Sequence, residues 1–224
     1  MATALVTGAT AGIGNAYAQL LAKEGFDLIL VARNLPRLKK VAAQLSKDYG
    51  VKATCLRADL SKSAQLLKVE KVLASTSRPV EVLINNAGFG IKESFTDSNI
   101  KAEQELLDVL VTAPMRLSHA VLPGMIKRNS GIIVNVSSVA SFIAGGTYSA
   151  AKSYLTVFSE YLKTELKGTN IKVSALCPGF TRTEFHARGK MKMSGLPNYM
   201  WNTTDQVVGK SWRYAKAGKV ICVP

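Results

Sequence analysis

Short apolar runs alternate along the chain with longer stretches in which apolar residues recur every three or four positions. The short runs predict buried strands, and the recurring spacing predicts amphipathic helices. Strands are predicted at 3–8, 26–33, 51–60, 80–88, 131–138, 171–179 and 219–224. Helices are predicted at 13–25, 35–50, 61–76, 100–128, 148–167 and 204–217.

This order of elements indicates a fold built from repeated strand–helix–strand units. Strands joined in this way pair in parallel, and right-handed crossovers place helices on both faces of one sheet. The 224 residues contain no linker, repeat or low-complexity stretch, and a chain of this length fits one domain. We therefore predict a single α/β domain over residues 1–224 with a doubly wound parallel sheet.

Composition narrows the classes of partner. The formal net charge is +14, but the basic residues are scattered and lack interleaved aromatic residues. Nucleic acid is therefore not an expected partner, and a small phosphate-rich ligand suits the charge equally well. The sequence contains no uncharged apolar run of about 18 residues, so we expect no membrane-spanning helix. The opening MATALVTG lacks the basic segment and long apolar core of a secretory signal.

Cysteine and histidine positions give no sign of a metal site. Cys55, Cys177 and Cys222 lie singly in apolar runs, which is typical of reduced thiols in a cytoplasmic protein. His119 and His186 have no companions at metal-ligand spacing. We therefore expect a cytoplasmic protein without a bound metal.

The first predicted strand leads directly into a glycine-rich turn, TGATAGIG at 7–14. Gly8, Gly12 and Gly14 allow the backbone to turn sharply and approach a ligand, and Ile13 lies at the helix start. Free N–H groups at a helix start bind phosphate, so the turn predicts the pyrophosphate site of a Rossmann-like fold. A tight turn without a ligand is the alternative. The position of the glycines between the first strand and the first helix favours the dinucleotide.

The second predicted strand ends in Ala32 and Arg33, where folds that prefer NAD place a carboxylate for the ribose 2′-hydroxyl. Arginine instead suits a 2′-phosphate, because its planar guanidinium matches phosphate oxygens. We therefore predict NADP(H) as the preferred cofactor and NAD(H) as the alternative, although a solvated arginine would also fit. Asp59, followed by Leu60, ends the third strand and is predicted to meet the adenine, unless it is an ordinary turn aspartate.

Candidate chemistry lies near the start of the helix at 148–167. Among seven tyrosines only Tyr148 has a lysine four residues later, Lys152, so the two side chains share a helix face. A nearby ammonium lowers the pKa of a tyrosine, which would make Tyr148 an acid–base group near neutral pH. Ser138 ends the preceding strand, and its hydroxyl is predicted to hold a substrate carbonyl. The alternatives are a solvated helix face for the pair and a helix or turn cap for Ser138.

Five motifs resemble those of the short-chain dehydrogenase/reductase family in order and spacing. They are TGATAGIG, NNAG at 85–88, NVSS at 135–138, YSAAK at 148–152 and CPGFTRT at 177–183. The stretch AYAQLLAKEGFDLILVARN is most similar to the branch with 3-oxoacyl thioester and 17β-hydroxysteroid reductases. The resemblance implies a Rossmann-like sheet and hydride transfer between NAD(P)(H) and a carbonyl or secondary alcohol.

The resemblance also implies roles for the residues at matching positions. Ser138 would hold the carbonyl oxygen, and Tyr148 would give or take the proton. Lys152 would tune Tyr148 and bind the nicotinamide ribose. Asn85 and Asn86 would support the adenosine side. The turn after the sixth strand would face the carboxamide through Pro178, Gly179, Thr181 and Thr183.

Two features depart from the family pattern. The gap from Ser138 to Tyr148 is a few residues shorter than in relatives, which leaves the shape of the substrate pocket open. Leu110 stands where the family carries the asparagine of a catalytic tetrad. Pro114 removes the N–H that would bond the carbonyl of residue 110, and we expect the freed carbonyl to retain part of a proton relay.

Residues 182–203 break the alternation of strands and helices and are rich in methionine and aromatic residues. The resembling family has its substrate lid here, so we expect an apolar ketone or 3-oxoacyl-type substrate; a lid packed on its own domain is the alternative. The family also implies a homodimer or homotetramer. Two other functions remain open: a cofactor-binding scaffold with weakened catalysis, which Leu110 supports, and a nucleic-acid or membrane-surface protein, which only the charge supports.

Overall fold

The computed structural model of the protein describes residues 2–189, 195 and 197–224. Within these residues, seven strands pair in parallel. From β1 to β7 they are Thr3–Thr7, Asp27–Ala32, Ala53–Arg57, Val80–Asn85, Gly131–Val136, Ile171–Leu176 and Ile221–Cys222. Their order in the sheet is β3-β2-β1-β4-β5-β6-β7, which confirms the predicted doubly wound α/β fold.

Helices connect these strands and cover both faces of the sheet. From α1 to α8 they are Gly12–Lys23, Leu35–Tyr49, Ser63–Leu73, Ile100–Leu107, Ala113–Arg128, Gly146–Glu165, Phe185–Arg188 and Thr204–Lys216. In β1, Ala4 and Val6 face the core under α1, α2 and α8, whereas Leu5 faces the core under α3, α5 and α6. Alternate residues of one strand are therefore buried on opposite sides, which explains its unbroken apolar run.

The predicted strands run too far at their carboxyl ends, and three of these ends concern the candidate site. β4, β5 and β6 end at Asn85, Val136 and Leu176, and the residues that follow form loops. Their apolar pattern continues, but their backbone groups find partners outside the ladder. The Asn86 amide, for example, donates to the Thr7 hydroxyl at 2.9 Å. The residues that leave the ladder are those that build the candidate site.

The long predicted helix at 100–128 is divided by a π-helical turn at Asp108–Thr112. Pro114 has no N–H to bond the Leu110 carbonyl in an α-helical pattern. The Ala113 amide donates to the Asp108 carbonyl, five residues back, as in a π-helix. The proline therefore lies beside a widened turn and does not end the helix.

The continuous helical stretch Ile100–Arg128 meets the length and composition of a membrane span, with a mean hydropathy of 1.3. One face of this stretch lies inside the protein, since Leu117, Val121 and Met125 are buried in the core under α3, α5 and α6, whereas Ile100 and Ile126 are exposed. This burial is typical of the core helix of a globular protein.

Candidate active site

The predicted site residues lie at the carboxyl ends of the first six strands and at the start of α1 and α6. β1 and β4 are neighbours in the sheet, while the connections from them lead toward opposite edges. Such a switch point leaves a crevice at the carboxyl edge, where doubly wound folds bind ligands. The fold therefore places the predicted phosphate and catalytic residues along one edge of the sheet.

The glycine-rich turn is held tightly by Asn86. Its side-chain amide donates to the Thr7 carbonyl at 2.8 Å, and the Gly8 amide donates to the Val31 carbonyl at 2.8 Å. A Cβ atom on Gly14 would lie 2.3 Å from Nδ2 of Asn86 and 2.5 Å from the Gly8 carbonyl oxygen. Asn86 therefore shapes the phosphate turn, a role that differs from the predicted support of the adenosine.

The start of α1 fits a pyrophosphate group. Its first residues Gly12 and Ile13 follow Ala11, which offers no side-chain cap, and no acidic residue lies in the first turn. The leading N–H groups of a helix carry partial positive charge and need acceptors. Phosphate oxygens can supply them.

The predicted adenosine-side residues lie in different surroundings. Arg33 is exposed at the end of β2 and forms no hydrogen bond or ion pair within the described ranges. One oxygen of Asp59 accepts from the Ser61 amide at 3.1 Å and the Ser61 hydroxyl at 2.8 Å, as in an ordinary turn. Leu60 is 7% exposed and packs in the core, so its predicted contact with the cofactor is not made by its side chain.

Tyr148 and Lys152 share a helix face, as their spacing predicts, and Ser138 joins them, as the family resemblance implies. The Ser138 side chain lies close enough to the Tyr148 hydroxyl to influence its pKa, and the Lys152 ammonium lies 5.6 Å from the centre of the Tyr148 ring. Ser138 also caps the following helical turn, because its hydroxyl oxygen accepts from the Ala140 amide at 3.1 Å. Ser138 is therefore a cap, as the alternative interpretation proposed, and it also lies beside Tyr148.

The prediction that the pKa of Tyr148 is lowered is wrong: the protein surroundings of Tyr148 raise its pKa. Burial raises the pKa of Tyr148 to about 12, against the lowering effect of the nearby Ser138 side chain. Burial also lowers the pKa of Lys152 to about 8. The lysine side chain is directed to the Val136 carbonyl, to which Nζ donates at 2.6 Å. Desolvation therefore outweighs the attraction between the ammonium and a phenolate.

Ser137 and Thr156, which were not predicted as site residues, fix the backbone of Lys152. The Ser137 hydroxyl donates to the Lys152 carbonyl at 2.8 Å and lies 2.8 Å from the Thr156 hydroxyl. Thr156 follows Lys152 by one helical turn and is buried. Two features of the sequence could have indicated this support: the four-residue spacing of Thr156 from Lys152, and the second serine beside Ser138 in NVSS.

Asn85 corrects the sequence interpretation most clearly. It is 5% exposed, and its amide nitrogen donates to Oδ1 of Asn135 at 2.9 Å and to Ser118 at 3.2 Å. Asn135 in turn donates to Ser159 at 2.9 Å. Asn85 therefore links β4 to β5 inside the protein and does not reach the cofactor crevice.

Leu110 belongs to a small apolar cluster beside Tyr148. It is 1% exposed and packs with Leu106 and Ala151, with Tyr148 at the border of the cluster. A Cβ atom on Gly88 would lie 2.8 Å from Cδ2 of Leu110, so the leucine fills the space against the NNAG loop. The part of the Leu110 carbonyl in a proton relay stays a prediction. The scaffold alternative gains no support, since Ser138, Tyr148 and Lys152 are all in place.

The segment after β6 begins with well-fixed residues. Pro178 is buried, and its carbonyl accepts from the Val139 amide at 3.1 Å. Thr181 is 4% exposed, and its hydroxyl donates to the Gly179 carbonyl at 3.1 Å, while Thr183 lies against Gly12. These contacts bring the turn to the glycine-rich loop. The predicted lid at 182–203 falls partly on residues 190–194 and 196, which lie outside the described residues.

Comparison with known proteins identifies relatives. Residues 2–193 match the family model described as short chain dehydrogenase. A very-long-chain 3-oxoacyl-CoA reductase of Laccaria bicolor is 37% identical over 180 residues, which is 78% of this chain but 53% of that protein. The chain thus spans about half the length of that relative.

Two solved structures have the same fold over the whole chain. A short-chain dehydrogenase from Sphingobium yanoikuyae in complex with NADPH has a TM-score of 0.95 at 34% identity, covering 100% of this chain and 88% of that one. The bulky-bulky ketone specific alcohol dehydrogenase from Comamonas testosteroni has a TM-score of 0.90 at 30% identity, covering 100% and 86%. Motifs, fold and site geometry agree with the family match, and the chain belongs to the short-chain dehydrogenase family.

Proposed function

We propose that the protein is an NADP(H)-dependent oxidoreductase that transfers hydride between a nicotinamide and a carbonyl or secondary alcohol of an apolar substrate. The observation that carries this proposal is the meeting of Ser138 and Tyr148 beside the buried Lys152. These side chains meet at the carboxyl edge of the sheet, where a doubly wound fold binds its ligand. Family membership supports the same type of reaction.

The protonation states suit carbonyl reduction. Tyr148, with a pKa of about 12, keeps its proton at neutral pH and can act as an acid. Ser138 donates a hydrogen bond to the carbonyl oxygen, and Tyr148 transfers its proton to the same oxygen. When bound, the nicotinamide supplies the hydride for the carbonyl carbon. The Lys152 ammonium then stabilises the phenolate left on Tyr148.

NADP(H) is favoured by the state of Arg33 and by a relative. An exposed guanidinium without an ion pair in the described part of the chain is available for a 2′-phosphate. The similar Sphingobium yanoikuyae structure is described as a complex with NADPH. The start of α1, with Gly12 and Ile13, would hold the pyrophosphate. NAD(H) remains the alternative.

Arg33→Ala is expected to weaken NADPH binding roughly tenfold and to leave NADH binding unchanged, because only NADPH carries the 2′-phosphate. The measurement is a fluorescence titration of each cofactor. Lys47→Ala, a charge loss near the other end of α2, is the matched control and should change neither affinity. Equal losses for both cofactors, or no loss, would exclude the proposed role of Arg33.

The apolar cluster beside Tyr148 supports an apolar substrate. Its partly buried members Phe89, Ile91 and Val111 pack with Tyr148 against a buried core of Leu106, Leu110 and Ala151. Apolar side chains beside the proton donor favour a carbonyl with apolar substituents. The names of two relatives, a 3-oxoacyl-CoA reductase and a bulky-ketone dehydrogenase, agree with this substrate class.

A substrate series tests the proposed reaction. NADPH oxidation is followed with acetone-sized ketones, bulky ketones and 3-oxoacyl thioesters of increasing chain length. We expect kcat/KM to rise with apolar size, because each buried methylene group contributes about 0.8 kcal/mol. Tight NADPH binding without turnover on any carbonyl would instead favour the scaffold function.

A further inference from the structure

Three consecutive residues, Thr183, Glu184 and Phe185, contact three separate parts of the crevice, and we name them the strap. Thr183 lies on the glycine-rich turn, with Cγ2 3.0 Å from the position of a Cβ atom on Gly12. The Phe185 ring lies 5.8 Å from the Tyr148 ring at an angle of 51°. The strap therefore reaches from the predicted phosphate turn to the predicted proton donor.

The middle residue of the strap makes the remaining contact. The Glu184 carboxylate accepts from two nitrogens of the Arg37 guanidinium, at 3.2 Å and 2.8 Å. Arg37 lies in the first turn of α2, four residues after Arg33. Glu184 also pairs with Arg188, but Arg188 belongs to the same segment of chain. Among the described residues, Arg37 is the partner that ties Glu184 to a separate element, α2.

The base of the strap is fixed by backbone contacts. The Arg182 amide donates to the Asn202 carbonyl at 3.0 Å, and the Asn202 amide donates to the Phe180 carbonyl at 2.9 Å. This short bridge joins the turn after β6 to the chain just before α8. A strap anchored at its base and held at its middle by an ion pair can open when the pair breaks.

We propose that the Glu184–Arg37 ion pair is a latch that retains the bound dinucleotide. The proposal rests on the proposed function. The strap contacts Gly12, at the predicted pyrophosphate site, and the latch joins the strap to α2, the helix that follows Arg33. The side chains are 49% and 45% exposed, respectively. Exposed pairs contribute little energy and are weakened by salt. This suits a contact that opens in each cycle of cofactor exchange.

The experiment measures the release of NADPH and of NADH from the full chain by stopped-flow displacement. Glu184→Gln and Arg37→Gln are each expected to raise both release rates about two- to fivefold, the range of an exposed ion pair. The double variant should release no faster than either single variant, because all three lack the same pair. For NADH, which lacks the 2′-phosphate that Arg33 is proposed to bind, high salt should raise the release rate more in the unmodified protein than in the variants.

Glu24→Gln is the matched control. It removes an exposed ion pair with Lys216 at 2.9 Å that joins the ends of α1 and α8, and it should leave release rates unchanged. Unchanged release in the latch variants, or additive effects in the double variant, would overturn the latch. A faster release of NADPH but not of NADH from Arg37→Gln would also overturn it, because Arg37 would then bind the 2′-phosphate directly. If the unmodified protein binds neither cofactor, the proposed function fails first.

Discussion

Replacement of Tyr148 by phenylalanine is expected to reduce turnover by at least about a hundredfold, the usual contribution of a positioned acid–base group. The change removes the hydroxyl that lies near Ser138 and keeps the ring that contacts Phe185. NADPH affinity should therefore stay within about twofold, because no contact of the crevice wall is lost. The measurements are kcat for the best carbonyl of the substrate series and a fluorescence titration with NADPH.

Tyr154→Phe is the appropriate control for this variant. Tyr154 lies on the same helix with its ring stacked on Phe158 at 5.5 Å, away from Ser138. It should retain normal turnover. Retention of more than a tenth of the activity by Tyr148→Phe would remove Tyr148 from the role of proton donor and would require another acid at the site.

Substitution of Gly14 by alanine is expected to lower the free energy of unfolding by about 3 kcal/mol and to abolish NADPH binding at ordinary concentrations. The new Cβ atom would overlap with the Asn86 side chain at 2.3 Å and with the Gly8 carbonyl oxygen at 2.5 Å. A backbone oxygen cannot yield unless the whole turn moves, and the turn is the predicted phosphate site. Urea unfolding and cofactor titration measure the two effects.

Gly209→Ala serves as the control for the same chemical change. Gly209 lies inside α8, and a Cβ atom there meets nothing within 4 Å. This variant should be about 0.5–1 kcal/mol more stable, because alanine is the better helix former. Equal stability of Gly14→Ala and the unmodified protein would show that the turn adapts, and the geometric explanation of this glycine would fail.

The doubly wound parallel sheet and the shared helix face of Tyr148 and Lys152 could be predicted from the sequence. Buried parallel strands leave continuous apolar runs, and the pair at 148 and 152 follows from helical spacing. The carboxyl ends of the strands were predicted too long, since apolar residues continue past the last ladder bond. A pattern of residue types does not report which backbone group a loop residue will meet.

The environment of individual side chains was harder to predict. Asn85 and Asn86 are adjacent and chemically identical, yet one is buried between strands and the other clamps the phosphate turn. The pKa of Tyr148 depends on burial, which its neighbours in sequence do not reveal. The contact between Arg37 and Glu184 joins residues 147 positions apart, so no local spacing could indicate it.

The hydrogen bonds from Asn85 to Asn135 and from Asn135 to Ser159 bear on how the chain acquires its fold during synthesis. An amide buried without a partner costs about 1–3 kcal/mol, and Asn85 finds Asn135 only when β5 has joined β4. Before β5 joins, the first four strands and α5 offer the Asn85 amide only the 3.2 Å hydrogen bond to Ser118, and the shorter bond to Asn135 is missing. β5 and α6 therefore complete a buried polar network that the nucleotide-binding half only begins.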